Sequence, residues 1–111
     1  MRFLLTLLIC LPAFAFAASD GAAPKPTNTT KSCKGVKVWD AKKNRCVKPK
    51  GASLDTETLY QAVRELAYAG RYSDAQGVLR AMPDQNDDRV RTYWGFTHRK
   101  MGNPTEAQVW Y

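Results

Sequence analysis

The segments GRYSDAQGVL (residues 70–79) and GNPTEAQVWY (residues 102–111) share one pattern at a constant offset of 32 residues. In each segment a glycine is followed by an acidic residue, by the pair Ala-Gln and finally by a large apolar residue. A glycine allows a left-handed turn at the end of a helix, and a small residue one turn later allows two helices to approach closely. The pattern therefore predicts a repeated helix–turn–helix unit.

The residues around the first segment have helical periodicity. A first helix is predicted between the cap residue Asp55 and Gly70, with its apolar side chains on one face: Leu59, Ala62, Val63, Leu66 and Ala69. A second, shorter helix covers residues 71–82, and Pro83 ends it because proline lacks the N–H that a continuing helix needs.

The same order recurs around the second segment. A third helix is predicted to begin at Asp87 or Asp88 and to close at Gly102, with these residues on its apolar face: Val90, Tyr93, Trp94, Thr97 and Met101. Pro104 then begins a fourth helix, since its missing N–H costs nothing in a first helical turn. The sequence thus contains about one and a half helical hairpins.

A helical hairpin of this kind resembles the tetratricopeptide repeat. The resemblance implies a mostly α fold of antiparallel helical hairpins, with one repeat at about residues 55–86 and a second, incomplete one from about residue 87. It also implies a set of packing residues: Gly70, Ala75, Leu79, Trp94, Gly95, Gly102, Ala107 and Tyr111. Four features depart from the family. The period is 32 rather than 34, and Pro83 arrives early. The first repeat has Ala62-Val63 where the second has Trp94-Gly95, and Pro104 replaces the aromatic residue that Tyr72 supplies in the first repeat.

In the tetratricopeptide family the first helix of each hairpin lines a concave groove that binds partners. The resemblance assigns six residues of this chain to such a groove: Tyr60, Arg64, Arg89, Thr92, Phe96 and Arg99. Arginine and aromatic residues dominate recognition hot spots, and a groove of this composition suits an extended peptide with acidic or carboxyl-terminal character. Ordinary solvated helix faces are the alternative for each residue taken singly.

The amino terminus predicts export. Residues 1–17 combine one positive charge, an apolar run and the small-residue pattern Ala15-Phe16-Ala17, which is typical of a secretory signal peptide cleaved near Ala17. Residues 18–31 are rich in Pro, Thr and Lys and are predicted to form a flexible leader. The expected location of the mature protein is periplasmic or secreted.

The segment of residues 32–52 is predicted to be a small β-hairpin. Cleavage removes Cys10, so that Cys33 and Cys46 remain as an even pair in an oxidising compartment, which favours a disulfide between them. A structural zinc site needs four closely spaced ligands, and two cysteines with a distant His98 do not supply them. No metal is expected.

The positive charge of the chain lies in this N-terminal part. The whole sequence has a net charge of +7; residues 18–52 hold nine basic and two acidic residues, whereas residues 53–111 hold seven basic and eight acidic ones. Such a block is either a solvated surface or a contact with an anionic membrane surface or glycan. Export disfavours nucleic acid as its partner.

The hairpin also loosely resembles part of the chitin-binding peritrophin-type domain through its C…G…WD…C pattern. That resemblance implies a glycan-binding module in which Trp39 stacks on a sugar. Such domains carry six cysteines, and four of them are missing here.

No catalytic constellation is present, and no cofactor is expected. The arrangement as a whole resembles small exported tetratricopeptide-repeat proteins of alphaproteobacteria, which implies a non-enzymatic module that binds a protein or peptide partner. The alternative is a glycan- or anionic-surface-binding module that acts through the Cys33–Cys46 hairpin. Stacked repeats generally need about three units, and the chain stops in the second turn of a helix, so we expect it to be the N-terminal part of a longer protein.

Overall fold

The computed structural model describes residues 22–51 and 53–111, which contain five helices and one two-stranded sheet. In chain order these are α1 (Asn28–Lys31), β1 (Val38–Asp40), β2 (Arg45–Val47), α2 (Thr56–Tyr68), α3 (Tyr72–Ala81), α4 (Asp88–Lys100) and α5 (Pro104–Trp110). The prediction of a mostly helical fold with a small disulfide-closed hairpin is confirmed. The predicted signal peptide and the leader up to residue 21 lie outside the described residues. None of the described helices combines the length and the apolar character needed to span a membrane.

The two glycine turns have the same backbone structure. Gly70 has φ +80° and Gly102 has φ +81°, a conformation that L side chains rarely adopt. After α2, the N–H groups of residues 70 and 71 donate to the carbonyls of residues 67 and 66, and after α4 the N–H groups of residues 102 and 103 donate to those of residues 99 and 98. Both turns are therefore Schellman motifs at an offset of 32 residues, as the sequence repeat requires.

Acidic caps begin the first helix of each hairpin. The Asp55 carboxylate accepts the N–H of Thr58 at 2.7 Å, and the Asp87 carboxylate accepts the N–H of Arg89 at 2.8 Å. Each carboxylate satisfies an N–H that the first helical turn leaves without a partner. Asn103 precedes α5, but its side chain makes no capping bond.

The core lies where α2, α3 and α4 meet. Its largest fully buried side chains include Leu66, Leu79, Val63, Val78 and Val90. Ala69 and Met101, which the periodicity places on the apolar faces, are exposed because each occupies the C-cap where its helix turns away. The prediction that these two side chains belong to the apolar, core-facing side of their helices is wrong.

The sheet is a short antiparallel hairpin. Val38 pairs with Val47, Trp39 with Cys46 and Asp40 with Arg45. The buried Asp40 carboxylate accepts the N–H groups of Lys42 and Lys43 and so folds the connecting turn.

The predicted disulfide between Cys33 and Cys46 is confirmed, with Cα atoms 5.6 Å apart. Closing a loop of this length contributes about 3 kcal/mol in the chain-entropy model. That contribution matters here, because an isolated two-stranded hairpin is only marginally stable in water.

The predicted flexible leader of residues 18–31 is wrong for its last part, because α1 is a helical turn bound to α2. The buried Glu65 carboxylate accepts the N–H of Thr27 at 3.0 Å, the hydroxyl of Thr27, and the N–H of Thr30 at 2.7 Å. A carboxylate at a helix N-terminus satisfies N–H groups that the helix itself leaves unpaired. Glu65 thereby joins the N-terminal segment to the helices.

Two further contacts join the hairpin to the first helical pair. Arg71 donates to the carbonyls of Cys33 and Gly35 at 3.1 and 3.0 Å. Val36 packs directly on Gly77 of α3, at a point where a side chain on residue 77 would have no room. Val38 belongs to the same core cluster as the helical residues, so the hairpin and the helices share one core.

The α1 turn meets α2 at the position where α3 meets α4. Thr97 of α4 accepts a hydrogen bond at 3.0 Å from Gln76 of α3, and Glu65, 32 residues earlier, accepts those of α1. Residues 65 and 97 thus hold equivalent positions in α2 and α4. Residue 97 faces α3, and residue 65 faces the α1 turn.

We expect Glu65→Gln to lower the free energy of unfolding by about 2 kcal/mol, because buried hydrogen bonds to a charged acceptor are lost and an amide N–H₂ faces N–H donors. Urea denaturation measures this change. Glu106→Gln, at an exposed position of α5, is the control and leaves the unfolding midpoint nearly unchanged. Equal midpoints for the two variants would show that α1 is not held by Glu65.

We expect Gly77→Ala to destabilise the protein, although the same change in an exposed helix stabilises it by about 1 kcal/mol. The new Cβ would lie 2.5 Å from both γ-carbons of Val36. Val36→Ala removes those carbons, so the double variant melts at a higher temperature than Gly77→Ala alone. A double variant that melts no higher would contradict the contact.

Candidate functional site

Five aromatic rings from three helices form a continuous chain, here called the ring chain. Its centroid distances are 5.8 Å for Tyr60–Tyr93, 5.8 Å for Tyr93–Phe96, 6.1 Å for Phe96–Tyr68 and 6.4 Å for Phe96–Tyr72. Four of the rings are half-buried and Tyr68 is 46% exposed. Aromatic pairs at these distances contribute about 0.5–1.5 kcal/mol each beyond the burial of their area. The ring chain is therefore a well-packed aromatic surface that is partly exposed.

Four cations lie along the ring chain. The Arg89 guanidinium sits 4.2 Å above the Tyr60 centroid, at one end. Arg99 and Lys100 lie 5.8 and 5.6 Å from the centroid of Phe96, the ring at which the chain branches to Tyr68 and Tyr72. Arg64 donates to the Tyr93 hydroxyl at 3.3 Å, between these two positions. The surface therefore combines exposed rings with positive charge, which is the residue mixture found at recognition hot spots.

The cation at Tyr60 and the two cations at Phe96 differ in whether acidic residues of the protein balance their charge. Arg89 pairs with Glu57 at 3.0 Å and lies 3.5 Å from Asp87, so its charge is balanced within the protein. Arg99 and Lys100 take part in none of the ion pairs within residues 22–51 and 53–111. The two cations beside Phe96 are thus the ones that offer positive charge to a ligand.

The surroundings of the ring chain shift the pKa values of its groups. Burial raises the pKa of Tyr60, and the hydrogen bond to Tyr93 raises the pKa of Arg64. Hydrogen bonds from Gln61 and then from Arg89 lower the pKa of Glu57. At neutral pH the surface therefore presents a neutral phenol, charged guanidinium groups and one ionised carboxylate.

Six residues were predicted to line a groove. Two of them, Tyr60 and Phe96, belong to the ring chain. Three others are cations that contact its rings: Arg64, Arg89 and Arg99. Thr92 is exposed on α4 and lies outside these contacts. Four members were not assigned: Tyr68, Tyr72, Tyr93 and Lys100. The four-residue spacing of Tyr60, Arg64 and Tyr68 along one helix was a signal that could have found Tyr68.

The residues assigned to repeat packing lie mostly between the helices. Ala75, Leu79 and Ala107 are buried. Gly95 is covered by the Tyr111 ring, three of whose atoms lie 2.6–3.0 Å from the point where a Cβ would stand. Trp94 stacks on Trp110 at 5.2 Å and donates to the Gln85 side chain at 3.2 Å.

His98 packs against Trp94 at a centroid distance of 5.9 Å, and its Nδ1 is buried without a hydrogen-bond partner among the described residues. Within residues 22–51 and 53–111, no three His, Cys, Asp or Glu side chains come together as metal ligands would. The described histidine is therefore a packed ring of the second hairpin.

Trp39 lines a cleft of about 410 Å³ between the hairpin and α2. Its polar neighbours are already hydrogen-bonded: Gln61 donates to Glu57 at 2.9 Å, and the Glu65 carboxylate holds α1. A sugar site needs free polar groups to orient hydroxyls. This cleft offers few of them, so the ring chain is the better candidate site.

Comparison with protein families, with curated proteins and with solved structures gave no match for this chain. Any functional conclusion therefore depends on the geometry of the ring chain, on the hairpin and on the internal repeat.

We expect the carboxyl of Glu57 to titrate with a pKa below its ordinary value of 4.5. Gln61→Ala and Arg89→Gln each raise this pKa, because each removes a donor to the carboxylate. Carboxyl-carbon NMR titration measures the shift. Since the folded pKa is depressed, the stabilisation by Glu57 is present above pH 4.5 and is lost as the pH falls through the folded pKa. An unchanged pKa in both variants would contradict the contacts.

Proposed function

We propose that this chain is a non-enzymatic interaction module of the tetratricopeptide-repeat type, which binds an extended acidic peptide along the ring chain. The observation that carries the proposal is the positive charge of Arg99 and Lys100 beside Phe96, which none of the ion pairs among the described residues balances. The two helices that carry most of the rings, α2 and α4, are the first helices of the two hairpins. The repeated Schellman turns support the repeat assignment.

The occupant follows from the chemistry of the surface. The exposed Tyr68 ring and the half-buried Phe96 ring offer area for the apolar side chains of a peptide, at a low cost in conformational entropy. The neighbouring Arg99 and Lys100 favour carboxylates, and Arg99 offers the planar fork that a terminal carboxylate matches. An acidic peptide with a free carboxyl terminus beside these two residues satisfies both requirements.

Export belongs to the proposal as well. Its support is the signal-peptide pattern of residues 1–17 and the disulfide, because structural disulfides persist in oxidising compartments. A periplasmic or secreted module of this kind meets its partner outside the cytoplasm.

The proposal is tested with a labelled peptide of alternating acidic and aliphatic residues that has a free carboxyl terminus, measured by fluorescence anisotropy. We expect Arg99→Gln/Lys100→Gln to weaken binding by about three- to tenfold, as two exposed charge pairs contribute. Phe96→Leu, which keeps the apolar volume and removes the ring, weakens it by a similar factor. An amidated copy of the peptide also binds less tightly.

The matched control is Lys43→Gln/Arg45→Gln, which removes the same two charge types from the hairpin turn. We expect this variant to bind the peptide as the parent protein does. If the two double variants lose affinity equally, the peptide responds to net charge alone and the assignment of the ring chain is wrong. Melting temperatures of all variants confirm that folding is retained.

A further inference from the structure

The N-terminal segment carries a dense set of unbalanced cations. Nine basic residues of the described segment 22–51 are all exposed: Lys25, Lys31, Lys34, Lys37, Lys42, Lys43, Arg45, Lys48 and Lys50. The ion pairs within the described ranges include none of them. The acidic groups nearby in the fold are already engaged, since Asp40 holds the hairpin turn and Asp74 pairs with Arg71 at 2.9 Å.

Four of these lysines surround one cleft, here called the lysine cleft. Lys34 and Lys37 come from one side and Lys48 and Lys50 from the other, and the cleft has a volume of about 440 Å³. Val36 and Gly77 also line it, and no acidic residue does. A cavity of this size holds roughly fifteen water volumes, which is room for a hydrated anion with several charged groups.

The two walls of the lysine cleft are held in place. The Cys33–Cys46 disulfide joins the segments from which the lysines project. Arg71 binds the carbonyls on either side of Lys34, and Val36 is fixed against Gly77. The ammonium groups therefore extend from a braced backbone, so less ordering is needed when an anion binds.

We propose that the lysine cleft is a binding site for an oligophosphate anion. Lysine ammonium groups act as point charges and suit the oxygens of tetrahedral phosphate groups, whereas planar carboxylates favour the fork of arginine. The cleft contains lysine and no arginine. This site is separate from the ring chain and does not depend on the peptide proposal.

The proposal is tested by isothermal titration calorimetry of the disulfide-bonded protein with inorganic tripolyphosphate at low salt. Two variants remove equal charge from the same segment: Lys34→Gln/Lys37→Gln/Lys48→Gln/Lys50→Gln in the cleft, and Lys25→Gln/Lys31→Gln/Lys42→Gln/Lys43→Gln outside it. We expect about a tenfold loss of affinity for the first and less than about a threefold loss for the second. Equal losses would overturn the cleft as a site.

Two further ligands test whether the lysine cleft prefers phosphate groups to carboxylates and a soluble anion to a lipid surface. An acetylated and amidated oligoglutamate of equal charge binds more weakly than tripolyphosphate; equal affinity would overturn the preference for phosphate. Phosphatidylglycerol vesicles test the lipid surface, and binding to vesicles without binding to tripolyphosphate would also overturn the proposal.

An experiment without substitutions covers the case in which a variant is destabilised. Tripolyphosphate added to the ¹⁵N-labelled parent protein shifts the backbone amide signals of residues 34–37, 48 and 50 before those of residues 42 and 43. The reverse order, or uniform shifts across the segment, would place the anion elsewhere.

Discussion

The Glu65 carboxylate is the interaction on which the arrangement of this chain depends. It lies on a helix in the middle of the sequence and accepts hydrogen bonds from a segment almost forty residues earlier. Without these donors the buried Glu65 carboxylate would have no partner, which is an expensive arrangement. The Thr29 hydroxyl of α1 in turn accepts the N–H of Trp39 at 3.1 Å. The α1 turn therefore links the sheet to α2, in addition to the contacts that Arg71 and Val36 make.

The rest of the fold divides its stabilisation between apolar and polar contacts. The helices pack through fully buried aliphatic side chains such as Leu66 and Leu79. The hairpin is held mainly by a disulfide, by Arg71 and by the docking of Val36 on Gly77. A segment with so few apolar residues cannot form a core of its own, and covalent closure compensates for this.

The helical part of the fold was predictable because its signals are local. Glycine turns, acidic caps and apolar periodicity fixed the four helices to within a few residues, and the even cysteine pair indicated the disulfide. The α1 turn was missed because Glu65 looks like a surface residue of an amphipathic helix. Its partner Thr27 lies in a stretch without apolar periodicity, where the local signal for a helix is only the Thr27 side chain that caps the N–H of Thr29.

The candidate sites were predictable in part, for the same reason. The spacing of Arg and aromatic residues indicated one helix face, whereas Tyr93 was assigned to the core and is in fact half-buried, with a hydroxyl that accepts from Arg64. The positive charge of the hairpin was evident from composition. Its concentration around one cleft depends on the disulfide and on the close approach to Gly77, neither of which composition reveals.

The placement of the three tryptophans gives the molecule two separate optical probes. Trp39 lies in the sheet next to the disulfide, while Trp94 and Trp110 stack at 5.2 Å in the second hairpin. Two indoles at this distance couple their strong electronic transitions, and the coupling adds an exciton contribution to the far-ultraviolet circular dichroism that an isolated indole lacks. The two ends of the fold are thus spectroscopically distinguishable without any added label, and loosening of one end is visible while the other remains intact.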